Sequence, residues 1–126
     1  MYKIIDGNIE VTRGDGLPLS ISTSNKDGSP YTFQERDVIR VKVFERKDCG
    51  CVVLQKDTIV ETATTSVNVD LTKEETKIGE LISRPIDYWY EVELNPDTDF
   101  PQTIIGYTKE KGAKLFTLLP EGGDKK

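Results

Sequence analysis

Histidine is absent from this 126-residue chain, and cysteine, methionine and tryptophan are scarce, with two, one and one copies. The missing imidazole removes the commonest general base and the commonest neutral metal ligand. Ser-His-Asp and Cys-His nucleophile systems and imidazole metal sites are therefore excluded. The two sulfurs, Cys49 and Cys51 in the pattern CGC, fall short of the four ligands of a closed zinc site. No apolar run approaches the roughly 20 residues that a spanning helix takes, and the opening MYKIIDGN has no apolar signal core of about 7 to 15 residues. The expectation is synthesis in the cytoplasm and no membrane partner. In that compartment both cysteines are expected as free thiols, since residues two apart at a hairpin tip strain a disulfide. Positive charge is also in deficit, with 17 Lys and Arg interspersed among 22 Asp and Glu for a net charge of −5. Nucleic acid is not an expected partner, because phosphate binding draws on clustered cations. A glycine-rich phosphate loop and a serine elbow are both missing.

What the chain does have is period-two patterning. Over Ile86 to Leu94 the even positions are Ile86, Tyr88, Tyr90, Val92 and Leu94, and the odd ones Asp87, Trp89, Glu91 and Glu93. A strand puts all five apolar chains on one face, whereas a helix scatters them. Similar alternation predicts strands at Leu17 to Ile21, Ile39 to Val43 and Val67 to Leu71. Tyr2 to Ile5 and Asn8 to Val11 flank Asp6-Gly7, a hairpin turn signal. Cys51 to Leu54 reads as the return strand of a hairpin across the CGC tip, with Ile59 and Val60 continuing it in broken form. Thr103 to Tyr107 and Lys114 to Leu119 complete the set, while Glu61 to Ser66 shows no core-facing alternation. Thr72 and Glu75 form a capping-box pattern, which predicts one or two helical turns over Lys73 to Ile78, closed by Gly79. Short strands at spacings of roughly 8 to 12 residues predict one all-β sandwich or barrel over 1–119, followed by a flexible tail at 120–126. The short connections predict antiparallel pairing.

Few residues carry chemistry. Arg13-Gly14-Asp15 matches a tripeptide read by some cell-surface receptors, but it falls where a turn is needed, with Gly14 and Gly16 relaxing the backbone. Glu91 with Glu93, or Asp97 with Asp99, offers paired carboxylates, yet alternating acids on a wet strand face serve solubility equally well. No catalytic residue, metal site or cofactor is assigned. Trp89 stands out, because it lies between acids on the otherwise charged face of the best strand. An indole there either anchors a partner, as aromatic residues do at interface hot spots, or is covered by a loop or the short helix. A rival reading pairs Trp89 with Tyr107 as a sugar platform, which makes the chain a small carbohydrate-binding module or adhesin.

The order of motifs resembles small proteins and N-terminal domains encoded by phages and prophages of Gram-positive bacteria, including the N-terminal domain of the upper baseplate protein family. The resemblance is carried by IEVTRGDGLPLSIS at Ile9 to Ser22, DGSPYTFQERDVIRVKV at Asp27 to Val43, VLQKD at Val53 to Asp57, VNVDLTKEET at Val67 to Thr76, IDYWYEVEL at Ile86 to Leu94, and TIIGYTKEKGAKLFTLLPE at Thr103 to Glu121. The CGC hairpin and the Glu61 to Ser66 stretch depart from it. It implies an immunoglobulin-like β-sandwich that serves as a non-catalytic virion component of the tail, baseplate or fibre region. It implies no cofactor, and as partners other phage structural proteins or further copies of the chain.

Overall fold

The computed structural model describes residues 2–5, 7–45, 51–80, 82–109 and 112–121. Among them the chain forms nine strands and no helix: β1 Tyr2–Ile5, β2 Asn8–Thr12, β3 Leu17–Ile21, β4 Val38–Phe44, β5 Val52–Ile59, β6 Val67–Leu71, β7 Ile86–Leu94, β8 Gln102–Ile105 and β9 Lys114–Leu119. One sheet runs β1-β2-β9-β7-β4-β5, with β8 also paired to β7; a second sheet consists of β3 and β6.

Periodicity explains why the core sits between them. In β7, Tyr90, Val92 and Leu94 are buried. They lie in register with Val43, Val41 and Ile39 of β4, and Tyr88 lies opposite Phe116 of β9. Ile9 and Val11 of β2 extend the same face next to Phe116 and Leu118. The small sheet contributes Leu17, Leu19 and Ile21 opposite Leu71, Val69 and Val67. These side chains join Phe33, Val60 and Ile78 in one buried cluster. Burial of each such side chain stabilises the fold by about 1.5–3 kcal/mol. Tyr90 reaches the rim of this core, where its hydroxyl donates to the Gly7 carbonyl, and burial pushes its phenol up to about 12.

The pairing is mixed, which corrects the antiparallel expectation. β2 and β9 run parallel. Short connections dictate antiparallel pairing only between sequence neighbours, and these strands come from opposite ends of the chain. The helix expected over Lys73 to Ile78 is likewise a single turn. Its capping box forms: Glu75 Oε1 accepts from the Thr72 N–H at 2.8 Å and Thr72 Oγ1 from the Glu75 N–H at 3.3 Å. One helical bond follows, from the Thr76 N–H to the Thr72 carbonyl at 3.1 Å, but the Lys77 N–H turns to Glu74 instead. A first turn is the costly step of helix formation, and tertiary contacts here halt it before propagation repays it.

Those contacts come from the turn after β2. The Thr76 hydroxyl, wholly buried, donates to the Asp15 carbonyl at 2.8 Å and accepts from the Gly14 N–H at 3.1 Å. Arg13 spans the same junction. Its Nε donates to the Ile78 carbonyl at 3.2 Å, Nη2 to the Gly79 carbonyl at 2.7 Å and Nη1 to Glu121 Oε1 at 2.6 Å. Gly79 has φ of +69°, a left-handed conformation that glycine accepts without a Cβ penalty.

β5 is a continuous strand of eight residues, longer than the broken one expected. Its core-side positions are Leu54, Lys56 and Thr58, in register with Val43, Val41 and Ile39, so its pattern lacks the apolar alternation that marks a strand. Lys56 closes that side of the core, donating to the Asp70 carbonyl at 2.7 Å and to Glu75 Oε1 at 2.9 Å. β8 ends at Ile105, so Tyr107 lies beyond the strand expected to include it. Cys51 is disulfide-bonded, which corrects the free thiol expected from hairpin-tip strain and compartment together. Cys49, the hairpin tip expected at 46–50 and the last residues at 122–126 lie outside the described residues.

Candidate interaction face

The large sheet has a second face, away from the core, built by the residues between the buried ones. Strand register arranges it in rows that cross the strands. Val52 of β5 pairs with Phe44 of β4, Phe44 with Trp89 of β7, and Trp89 with Leu115 of β9. The β2–β9 register pairs Ile9 with Phe116 and so sets Asn8 beside Leu115. Asn8 Oδ1 accepts from the Leu115 N–H at 2.9 Å, and Ile5 of β1 pairs with Asn8. One row thus reads Val52, Phe44, Trp89, Leu115, Asn8 and Ile5. Phe44, Trp89 and Leu115 are half-buried, whereas Val52 at 42% and Ile5 at 56% are open to solvent at its two ends. An open groove of about 260 Å³ adjoins the row at Ile5, Asn8 and Leu115.

The rows on either side are polar. On one side Asp87 pairs with Thr117, Thr117 with Glu10, and Glu10 with Lys3. The Thr117 hydroxyl donates to Asp87 Oδ1 at 2.7 Å, and Lys3 Nζ lies 3.9 Å from Glu10 Oε1. On the other side Lys42 Nζ lies 2.9 Å from Glu93 Oε1 and 4.0 Å from Glu91 Oε1. The same ammonium sits 5.6 Å from the centre of the Phe44 ring, a cation–π contact that joins the apolar row to the charged one. Arg40 forks onto both oxygens of Asp57, at 2.8 and 2.9 Å, and reaches both oxygens of Asp97 at 3.2 and 2.9 Å. The bonds from Arg40 hold the Asp57 carboxyl below its usual range, and those from both acids push the guanidinium up. Away from this face, burial alone would raise the Glu75 carboxyl, but bonds from the Thr72 N–H and Lys56 outweigh it and hold it low.

The two residues singled out from sequence lie on different elements. Trp89 is central in the apolar row. Tyr107 is 75% exposed in the segment after β8, and Phe100, before β8, is 82% exposed. Ring contacts among the described residues join Tyr31 to Phe33 and Tyr90 to Phe116, and neither involves Trp89 or Tyr107. Arg13 of the RGD tripeptide has a side chain only 10% exposed and is held by three acceptors, so the tripeptide is built into the fold instead of displayed. Glu91 and Glu93 are both claimed by Lys42, and Asp97 by Arg40. Among the described residues no group of three or more acids and cysteines could hold a metal ion. Chemically, the face offers apolar contact with a polar border in which the cations Lys3, Lys42 and Arg40 each have a carboxylate partner. Sequence reading missed Phe44, Leu115, Val52 and Ile5, because the row runs perpendicular to the strands and no single segment contains it.

No family model, curated protein or solved structure matches this chain.

Proposed function

We propose that this chain is a non-catalytic structural component of a phage or prophage particle, in its tail, baseplate or fibre region. It acts by protein–protein assembly, with neighbouring particle proteins or with copies of itself, and takes no cofactor. The observation that carries the assembly part is the apolar row bounded on both sides by polar rows. Apolar centre and polar rim are the anatomy of protein interfaces, and an aromatic at the centre is their commonest anchor. The motif resemblance supplies the kind of particle, and with it the localisation: the virion, after synthesis in the bacterial cytoplasm.

The same reading takes the fold as an immunoglobulin-like sandwich. Immunoglobulin domains set strands B and E in one sheet against C, F and G in the other, and variable types add C′ beside C. The pairing of β3 with β6, and of β5, β4, β7 and β9 in that order, supports this correspondence. The disulfide between strands B and F is absent, since β3 and β7 contain no cysteine.

Mass spectrometry of particles purified after prophage induction tests the proposal. Peptides of this chain at a stoichiometric level are expected. Their absence from particles, with the protein abundant in the lysate or on the cell surface, would overturn it and favour a carbohydrate-binding module or adhesin-like domain. In that case glycans would quench Trp89 or bind through Tyr107.

A further inference from the structure

We infer that the outer face of the large sheet pairs with a second copy of this chain, face to face about a two-fold axis along β7. This inference rests on the assembly reading and adds the partner. Its first support is the layout of the row. Trp89 lies on β7 with Phe44 to one side and Leu115 to the other, and the row's outermost residues, Val52 and Ile5, are both apolar and exposed. Rotation about β7 sets Trp89 against its own copy, Phe44 against Leu115 and Val52 against Asn8 of the second copy, with Ile5 left at the overhanging edge. An isologous interface needs just this match of a surface to itself.

Size is the second support. Six strands at about 4.8 Å spacing make the row about 24 Å long, and the nine residues of β7 span about 30 Å. The resulting face is about 700 Å², close to the roughly 800 Å² that each partner contributes to a stable interface. Charge opposes the pairing weakly and sets its salt response. Lys3, Lys42 and Arg40 already have carboxylate partners on their own face. Among the described residues no uncompensated cationic patch is left on the face to select an acidic partner, and the surplus there is of carboxylate. Two copies therefore repel weakly through their borders while their apolar rows attract. Self-association should tighten as salt is added, opposite to the response of a charge-complementary pair.

Trp89 is the single tryptophan of the chain, so its emission reports on this face alone. The experiment measures mass by sedimentation and Trp89 emission together, from micromolar to millimolar protein, at low and high salt. The expected result is a twofold rise in mass, with a blue shift of emission over the same concentrations, and a midpoint that falls as salt rises. Leu115→Glu should weaken association by roughly thirtyfold or more, the loss typical of an interface hot spot. Val52→Glu, at an exposed position with little risk to folding, should weaken it in the same direction. One-chain mass with constant emission throughout overturns the inference. So does a doubled mass with unchanged emission, or one that both folded variants leave intact. A chain that stays single but is recovered in purified particles overturns self-pairing while the assembly reading stands. A chain absent from particles overturns the assembly reading whatever its mass.

Discussion

Replacing Arg13 with alanine removes a clamp between three parts of the chain. The side chain is 10% exposed and makes a charged bond to Glu121 as well as bonds to the carbonyls of Ile78 and Gly79. Hydrogen bonds with a charged partner contribute about 1.5–3 kcal/mol each, but they share one guanidinium and do not add. Glu121 is 29% exposed and regains water when released, as does Gly79, so most of the loss comes from the buried Ile78 side of the junction. A total of about 3 kcal/mol follows, which for a domain of this size is a drop in Tm of about 10 °C. Arg13→Lys keeps the charge and can hold Glu121, but its single ammonium cannot replace the planar fork. It should recover less than half of the loss. Urea unfolding of wild type, Arg13→Ala, Arg13→Lys and Glu121→Ala, followed by circular dichroism, resolves these differences. A loss below about 0.5 kcal/mol for Arg13→Ala, the range of an ordinary surface substitution, would refute the clamp and reopen the display of Arg13-Gly14-Asp15 as a recognition tripeptide.

Two further outcomes concern pH. Tyr90 has a folded-state pKa of about 12, above its unfolded value of about 10. The stability it lends is complete below about pH 10 and disappears as pH rises to 12, a loss of about 2–3 kcal/mol by linkage. Tyr90→Phe should flatten this alkaline limb in urea titrations at stepped pH; an equally steep limb in the variant would refute the assignment. At the acid end, Asp57 and Glu75 are held below their usual range by their bonds, with Arg40 for Asp57 and with the Thr72 N–H and Lys56 for Glu75. Their contribution is complete above the unfolded carboxylate values near 4 and fades as pH falls through the lower folded values. Asp57→Asn with Glu75→Gln should therefore cost stability at pH 7 and little at pH 2. A deficit that is the same at both values would show that the carboxylate charges are not responsible.

Much of the sheet was legible because its strands are half-buried and announce themselves by alternation. β3, β6, β7 and β9 fall where Leu17, Val67, Ile86 and Lys114 predicted their starts. β5 was half hidden, since Lys56 and Thr58 occupy core-side positions where a pattern reader looks for aliphatics. The single turn after Thr72 misled in the opposite way. Its capping box is genuine, but the residues that stop it, Gly14 and Asp15, lie some sixty positions earlier. Trp89 could be suspected from its place among acids, yet its neighbours Phe44 and Leu115 belong to other strands and become neighbours only through register. Tyr107 had no such support, and it ends on an exposed segment beyond β8. Local pattern reports an element and its buried face, whereas sites assembled across strands depend on long-range pairing.

The parallel pairing of β2 with β9 also bears on how the molecule would carry tension. β1 lies antiparallel to β2 and contacts little else, so a pull on the first residues peels it away one hydrogen bond at a time. The load then enters β2 at Asn8 and leaves β9 at Leu119, at opposite ends of a parallel pair. All the bonds of that ladder are then strained together in shear instead of opening in turn. Stretched from its two ends in a force spectrometer, the chain should yield early at low force and then hold until a single abrupt rupture. Gradual low-force unravelling would mean that the ladder does not bear the load. A domain built this way resists traction along the line that joins its first and last strands.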